Sequence, residues 1–170
     1  RKLDYDSHKK KFDKAKHYLK SRGPDDTRDW SDINSYFLHT RLKILDLNDT
    51  AAQPMEIGNY VICFNGEIYN FRKIREELLK KGYIFKSSGD TEVLLNSWIE
   101  WREKSLEKLD GMFAFSIWDK KEKVLFLARD RFGKKPLVYC LRNNSIFFAS
   151  DVKSLASITK TGVVNKNAIN

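Results

Sequence analysis

"YVICFNGEIYNFRKI", residues 60–74, begins as a strand and then stops obeying strand rules. Tyr60 to Phe64 is a β-branched and aromatic run of the kind that pleats into a sheet. Asn65-Gly66-Glu67 interrupts it, and Ile68-Tyr69 resumes the apolar character ahead of a helix-like stretch. Asn-Gly between two apolar runs is the strongest short hairpin signal, yet no returning strand follows Tyr69. The strand is therefore expected to stop at Phe64, with an amide side chain and a bare backbone at its end.

Outward from this stretch the pattern is mixed. Downstream, Asn70 is placed to cap a helix whose buried stripe is Phe71, Ile74 and Leu78, closed by Gly82. "YIFKSSGDTEVLLNSWIEW" repeats the theme: a short strand, a turn, then a helix with Leu94, Trp98 and Trp101 inward. Upstream, His8, Phe12, Ala15 and Leu19 predict a helix over about 7–20, capped by Asp6 or Ser7 and stopped by Gly23-Pro24, with Gly23 as its left-handed cap. Residues 24–34 read as polar loop. "SYFLHTRLKILDL" reads as a strand that changes face near His39, then a loop to Gln53-Pro54. From Met112 the period becomes two: "MFAFSIWD", "KVLFLARD", "KPLVYCL" and "SIFFAS" are four short strands joined by hairpins, Asn143-Asn144 tolerating positive φ. Consecutive hairpins make an antiparallel meander, so the fold class is α+β, with two antiparallel sheets and helices beside them.

Composition narrows the function classes. The 170-residue chain is 41% hydrophobic and 13% aromatic, enough to bury a core without disulfide staples. No run of about 18 apolar residues exists to span a membrane, and no apolar signal region opens the chain. Cys63 and Cys140 sit inside apolar strand-like runs, which predicts unpaired thiols and a cytoplasmic setting. The net charge of +9 is concentrated in Arg1–Arg22, where nine Lys and Arg stand against three Asp. Helical spacing of the apolar residues there leaves the lysines on a solvated face, and no aromatic platform interleaves with them, so nucleic acid is not an expected partner.

Metal chemistry has little support: His8, His17 and His39 show no ligand spacing, and no H-x-x-x-H or C-x-x-C occurs. No phosphate-cradling Gly-rich loop and no G-x-S-x-G elbow is present. What remains is a polar set at strand and helix ends: Arg41, Asn65-Gly66 and Gly89-Asp90. Singly, these read as a surface ion-pair residue, a plain turn and a plain N-cap. Together they suit an amino acid. A guanidinium forks onto an α-carboxylate, an aspartate accepts from an α-ammonium, and an Asn amide with a Gly N–H receives an oxyanion.

"SRGPDD", "HTRLKILDL…QPM", "FNGEIYNFRKIREEL", "SSGDTEVLL", "LDGMFAFSIWD", "RDRFGKKPL" and "FASDVKSL" follow one another from about Phe12 to Leu155. In this order and spacing the chain resembles the glutaminase domain of class II glutamine amidotransferases, and among them that of glutamine-hydrolysing asparagine synthetases. The resemblance implies the N-terminal-nucleophile sandwich, two antiparallel sheets between helical layers. It implies an oxyanion hole at Asn65 and Gly66 and an α-carboxylate clamp at Arg41. It also implies a substrate wall at Leu42, Ile44 and Leu45, α-amino partners at Glu67 and Asp90, and Gly89 as a further substrate-binding residue.

Residues 1–160 are then a glutaminase domain lacking its first strand, and 161–170 begin a linker to a synthetase domain. The family's nucleophile is an N-terminal cysteine whose own amine is the base. This chain opens at Arg1 and is expected to be inactive alone, because Cys63 has no free amine beside it. Ser21, Lys134 and Val138 depart from the family pattern without touching the clamp. The resemblance implies glutamine as substrate and no cofactor in this domain. ATP and Mg are expected for the synthetase domain, aspartate is the default amide acceptor, and a homodimer is admitted. A sugar-carboxylate acceptor and a non-catalytic glutamine-binding descendant are the alternatives.

Overall fold

The computed structural model describes residues 5–42 and 49–159, with side chains placed over 12–42 and 50–159. The predicted substrate-wall residues Ile44 and Leu45 and the tail 161–170 lie outside these, and the side chain of His8, on the first helix's predicted apolar stripe, lies outside the placed side chains. Helix α1 (Tyr5–Leu19) is followed by strands β1 (Asp26–Ser31), β2 (Tyr36–Arg41), β3 (Met55–Ile57) and β4 (Tyr60–Ile68). Helices α2 (Phe71–Lys80), α3 (Asp90–Trp101) and the short α4 (Ser105–Lys108) come next. Strands β5 (Gly111–Asp119), β6 (Val124–Arg129), β7 (Val138–Arg142) and β8 (Ser145–Ala149) lead to α5 (Val152–Thr159).

The antiparallel sheet β3-β4-β5-β6 is the centre. Strand alternation gives it two different faces. On one, the cross-strand pairs Ile62–Ile117 and Phe64–Phe115 meet Ile74 and Leu78 of α2 and Val93, Leu94 and Trp98 of α3. Each such side chain, fully buried, is worth about 2 kcal/mol. On the other, Val61 and Trp118 carry Phe37 of β2 and Phe148 of β8, the rings of Phe37 and Phe148 crossing edge to face at 5.7 Å. The ribbons β1-β2 and β7-β8 form this second β layer, with α1 and α5 packed together on it. The predicted α+β sandwich, antiparallel β layers between helices, is what the chain forms.

Several local expectations change. The Asn-Gly pair does not end β4. The strand runs on to Ile68 in unbroken register with β5, Asn65 opposite Ala114 and Gly66 opposite Phe113. Gly66 permits this by close approach: a Cβ there would sit 2.2 Å from the Met112 carbonyl oxygen. The polar run Asp26–Ser31, expected as loop, is a strand. It is held by β2 and by indole bonds, Trp30 Nε1–H to Glu56 (2.8 Å) and Trp118 Nε1–H to Asp32 (2.7 Å). Residues 83–85, expected as a strand, have no partner strand among the described residues and remain irregular. Asp6 and Ser7 fall inside α1 instead of capping it. Asn70 makes no side-chain cap, donating instead to the Lys108 carbonyl and accepting from Asp110 N–H. Gly82 does close α2, at φ 92°.

Gly23 is needed for a reason other than the predicted left-handed cap, for it does not adopt positive φ. Its Cα lies against β2, where a Cβ would stand 2.3 Å from the Thr40 carbonyl and 2.6 Å from Arg41 N. Backbone on both sides cannot yield cheaply. Gly23→Ala is expected to lower unfolding free energy by about 2–3 kcal/mol in a denaturant titration.

Candidate functional site

The ladder between β3 and β4 closes at Met55–Ile62. Beyond it lies Pro54, which has no N–H to offer, so β4 continues with one edge open. Backbone N–H groups leave an antiparallel strand on alternate sides, so those of Phe64, Gly66 and Ile68 share that open edge. Phe64 N–H donates to Gln53 Oε1 at 2.6 Å, and Ile68 N–H donates to Asp90 Oδ2 at 3.0 Å. Gly66 stands between them. Its opposite residue Phe113 turns both backbone groups to Asp130, accepting from Asp130 N–H at 2.8 Å and donating to Oδ2 at 3.2 Å. The Gly66 N–H therefore points away from β5, along the open edge.

A cavity of about 430 Å³ lies against that edge, a volume suited to a small metabolite. Arg41, Leu42, Asn65, Gly66, Gly89 and Asp90 all line it. β2 delivers Arg41 at its last position, buried to 7% exposure. Leu42 follows as an exposed rim. Gly89, in extended conformation, is the N-cap of α3, and Asp90 is the helix's first residue. Glu67 does not line the cavity. Its charge is felt there all the same, because it helps raise the Asp90 carboxyl.

Burial is the main cause of that rise at Asp90, opposed chiefly by the Ile68 N–H. Asn65 Nδ2 is buried and has no hydrogen-bond partner among the described residues. A buried, unsatisfied donor costs about 1–3 kcal/mol, and a ligand acceptor removes that cost.

Further lining residues include Gln53, Thr91, Lys135 and His39, which fall in the quoted motifs but to which the sequence assigned no role at this site. His39 is buried, and desolvation takes its imidazole to about 4, Arg41's charge adding to the drop and a bond to the Phe64 backbone opposing it. It is a neutral histidine whose Nδ1 has no partner among the described residues. Among the described residues no cluster of His, Cys, Asp and Glu could hold a metal ion.

A second, apolar cavity of about 130 Å³ adjoins the first, sharing His39, Phe64 and Asn65. It runs between β2 and β8, over Cys63, Ala114 and Ser116 and beneath Ala15, Leu19 and Ile158 of the helices. Cys63 is in this slot. Burial pushes its thiol well above the ordinary range, which keeps it protonated at neutral pH. No helix in the described residues is long and apolar enough to cross a membrane.

A carboxyl whose pKa is raised on folding costs stability at high pH. The cost is absent where both states are protonated, develops as pH rises from the ordinary Asp value to the raised one, and is full above it. Asp90→Asn, still able to accept from Ile68 N–H, should raise the denaturation midpoint at pH 7. The gain should vanish below about pH 3. A lower midpoint at pH 7 would mean that the charge stabilises the fold.

A family model described as a glutamine amidotransferase domain matches residues 2–170. Asparagine synthetase (glutamine-hydrolyzing) 3 of Bacillus subtilis is 39% identical over 166 residues, covering 91% of this chain and 27% of that protein. Asparagine synthetase (glutamine-hydrolyzing) 1 of the same organism is 45% identical over 150 residues, covering 87% and 24%. The chain thus spans about a quarter of the length of these curated relatives. The solved glutamine phosphoribosylpyrophosphate amidotransferase of B. subtilis superposes with a TM-score of 0.68 at 19% identity, over 86% of this chain and 40% of that one. That likeness is one of fold, the N-terminal-nucleophile sandwich. The chain belongs to the glutamine amidotransferase domain family.

Proposed function

We propose that this chain is the glutaminase part of an ATP-dependent asparagine synthetase, releasing ammonia from glutamine for amidation of aspartate at a synthetase domain, to which residues 161–170 begin the linker. One observation carries the reading: Arg41, Asn65, Gly66 and Asp90 line one cavity, the Asn65 amide nitrogen being unpartnered among the described residues. Arg41 forks onto the glutamine α-carboxylate, and Asp90, with Glu67 behind it, accepts from the α-ammonium. Leu42, with Ile44 and Leu45, walls the side chain, and Gly89 lets the α3 backbone come close. The carboxamide then lies over Asn65 and Gly66.

A thiolate attacks the carboxamide carbon, and the tetrahedral oxyanion takes hydrogen bonds from Asn65 Nδ2 and Gly66 N–H. Collapse expels the nitrogen as ammonia once it has received a proton. Water hydrolyses the thioester to glutamate and regenerates the thiol. Cys63 is unsuited to the attack: its thiol is protonated and it has no amine beside it. The slot between β2 and β8 supports a separate origin for the nucleophile. Among the described residues β2 is paired only with β1 and β8 only with β7, so the two facing edges are open. In this reading the family's cysteine-bearing strand would lie between them and bring its thiol to Asn65. The free thiols of Cys63 and Cys140 suit a reducing cytoplasm.

A glutaminase assay tests the reading. The chain beginning at Arg1 should release no ammonia above background, and a form carrying a cysteine-led strand ahead of Arg1 should turn glutamine over. In that form Asn65→Ala lowers kcat about 10²–10³-fold. Arg41→Lys raises KM about tenfold, the loss of one charge-assisted bond. Robust turnover by the chain beginning at Arg1, abolished by Cys63→Ala, would place the nucleophile elsewhere.

A further inference from the structure

We infer that Gln53 is a positioning residue for this site, fixing the stretch of β4 that carries Asn65 and directs the Gly66 N–H along the cavity's edge. The inference rests on the oxyanion reading above. Along the open edge of β4 the N–H groups of Phe64, Gly66 and Ile68 follow one another at about 6.6 Å intervals. The outer two are held by side chains and the middle one faces the cavity. Gln53 replaces the strand neighbour that β3 can no longer supply, its Oε1 2.6 Å from Phe64 N.

The other end of the same amide reaches α3: Gln53 Nε2–H donates to Thr91 Oγ1 at 3.3 Å. Asp90, the adjacent helix residue, holds Ile68 N–H. Two neighbouring residues of the α3 first turn thus grip β4 on either side of Gly66, one directly and one through Gln53. Gln53 and Thr91 are both buried, at 8% and 6% exposure. Removing the Gln53 amide leaves Phe64 N–H unsatisfied and frees one flank of Gly66 to rotate. An oxyanion donor misplaced by a fraction of an ångström costs rate, while the glutamine ends, held by Arg41 and Asp90, remain bound.

The test uses the intact, cysteine-led enzyme and reads glutamine hydrolysis together with the thermal midpoint. Gln53→Leu should lower kcat about 10–100-fold with KM within about twofold of normal. Gln53→Glu retains an acceptor for both Phe64 N–H and the Thr91 hydroxyl, and should restore most of the rate. Thr91→Val, which removes only the hydroxyl that steadies Gln53, should lower kcat about threefold. In an Asn65→Ala background Gln53→Leu should cost much less than in the parent, because both act on the same oxyanion.

Unchanged kcat in Gln53→Leu with a lowered midpoint would overturn the inference, leaving Gln53 a structural residue. If Gln53→Leu does not fold, Thr91→Val decides: unchanged kcat there overturns it equally. A normal kcat in Asn65→Ala would instead overturn the oxyanion reading itself, and the inference with it.

Discussion

A β-strand without a neighbour must find other acceptors for its N–H groups or leave them to water or a ligand. β4 meets this constraint just past Ile62, where β3 has ended and Pro54 offers no backbone pairing. Two of the next three N–H groups on that side are taken by Gln53 and Asp90, and the third, of Gly66, faces the cavity. Much of the architecture serves this edge. α3 must lie deep enough to bring Asp90 and Thr91 to it, and its first nine residues are accordingly buried. β5 must hold β4 straight from the other side, which it does over all nine residues of the strand.

The two faces of β4 divide the labour. Ile62, Phe64 and Ile68 anchor the core against α2 and α3, giving the strand a rigid base. The opposite face is paired with small residues, Cys63 with Ser116 and Asn65 with Ala114, and their low profile leaves the apolar slot open beneath α1 and α5. A site on rigid sheet rather than on a loop keeps donors fixed to fractions of an ångström. The polar cavity meets the slot at Asn65, so a segment in the slot and a ligand in the cavity would touch the same amide.

Rigidity at the site is bought against local stability. Asp90 is held where burial disfavours its charge, while among the described residues Asn65 Nδ2 lacks a partner and neutral His39 has one nitrogen unsatisfied. Each is a group that a core optimised for stability alone would pair or replace. Gly23 and Gly66 make a matching demand on the backbone, since close approach at both leaves no room for a Cβ.

The sequence by itself determined the fold class, the helices α1, α2 and α3, the four strands after Leu109, and the residue types at Arg41, Asn65, Gly66 and Asp90. Periodicity and ordered motifs are local properties, and local patterns suffice for these. Tertiary structure decided the rest. Asp26–Ser31 became a strand because β2 and two indole bonds were available, although its composition is polar. Residues 83–85 did not, for want of a partner. β4 ran through Asn65-Gly66 because β5 continued beside it, where a local reading of Asn-Gly stops the strand. Gln53 sat in a quoted motif without a role: its partners lie 11 and 38 residues away, and only the folded chain places a side-chain amide where a strand is missing.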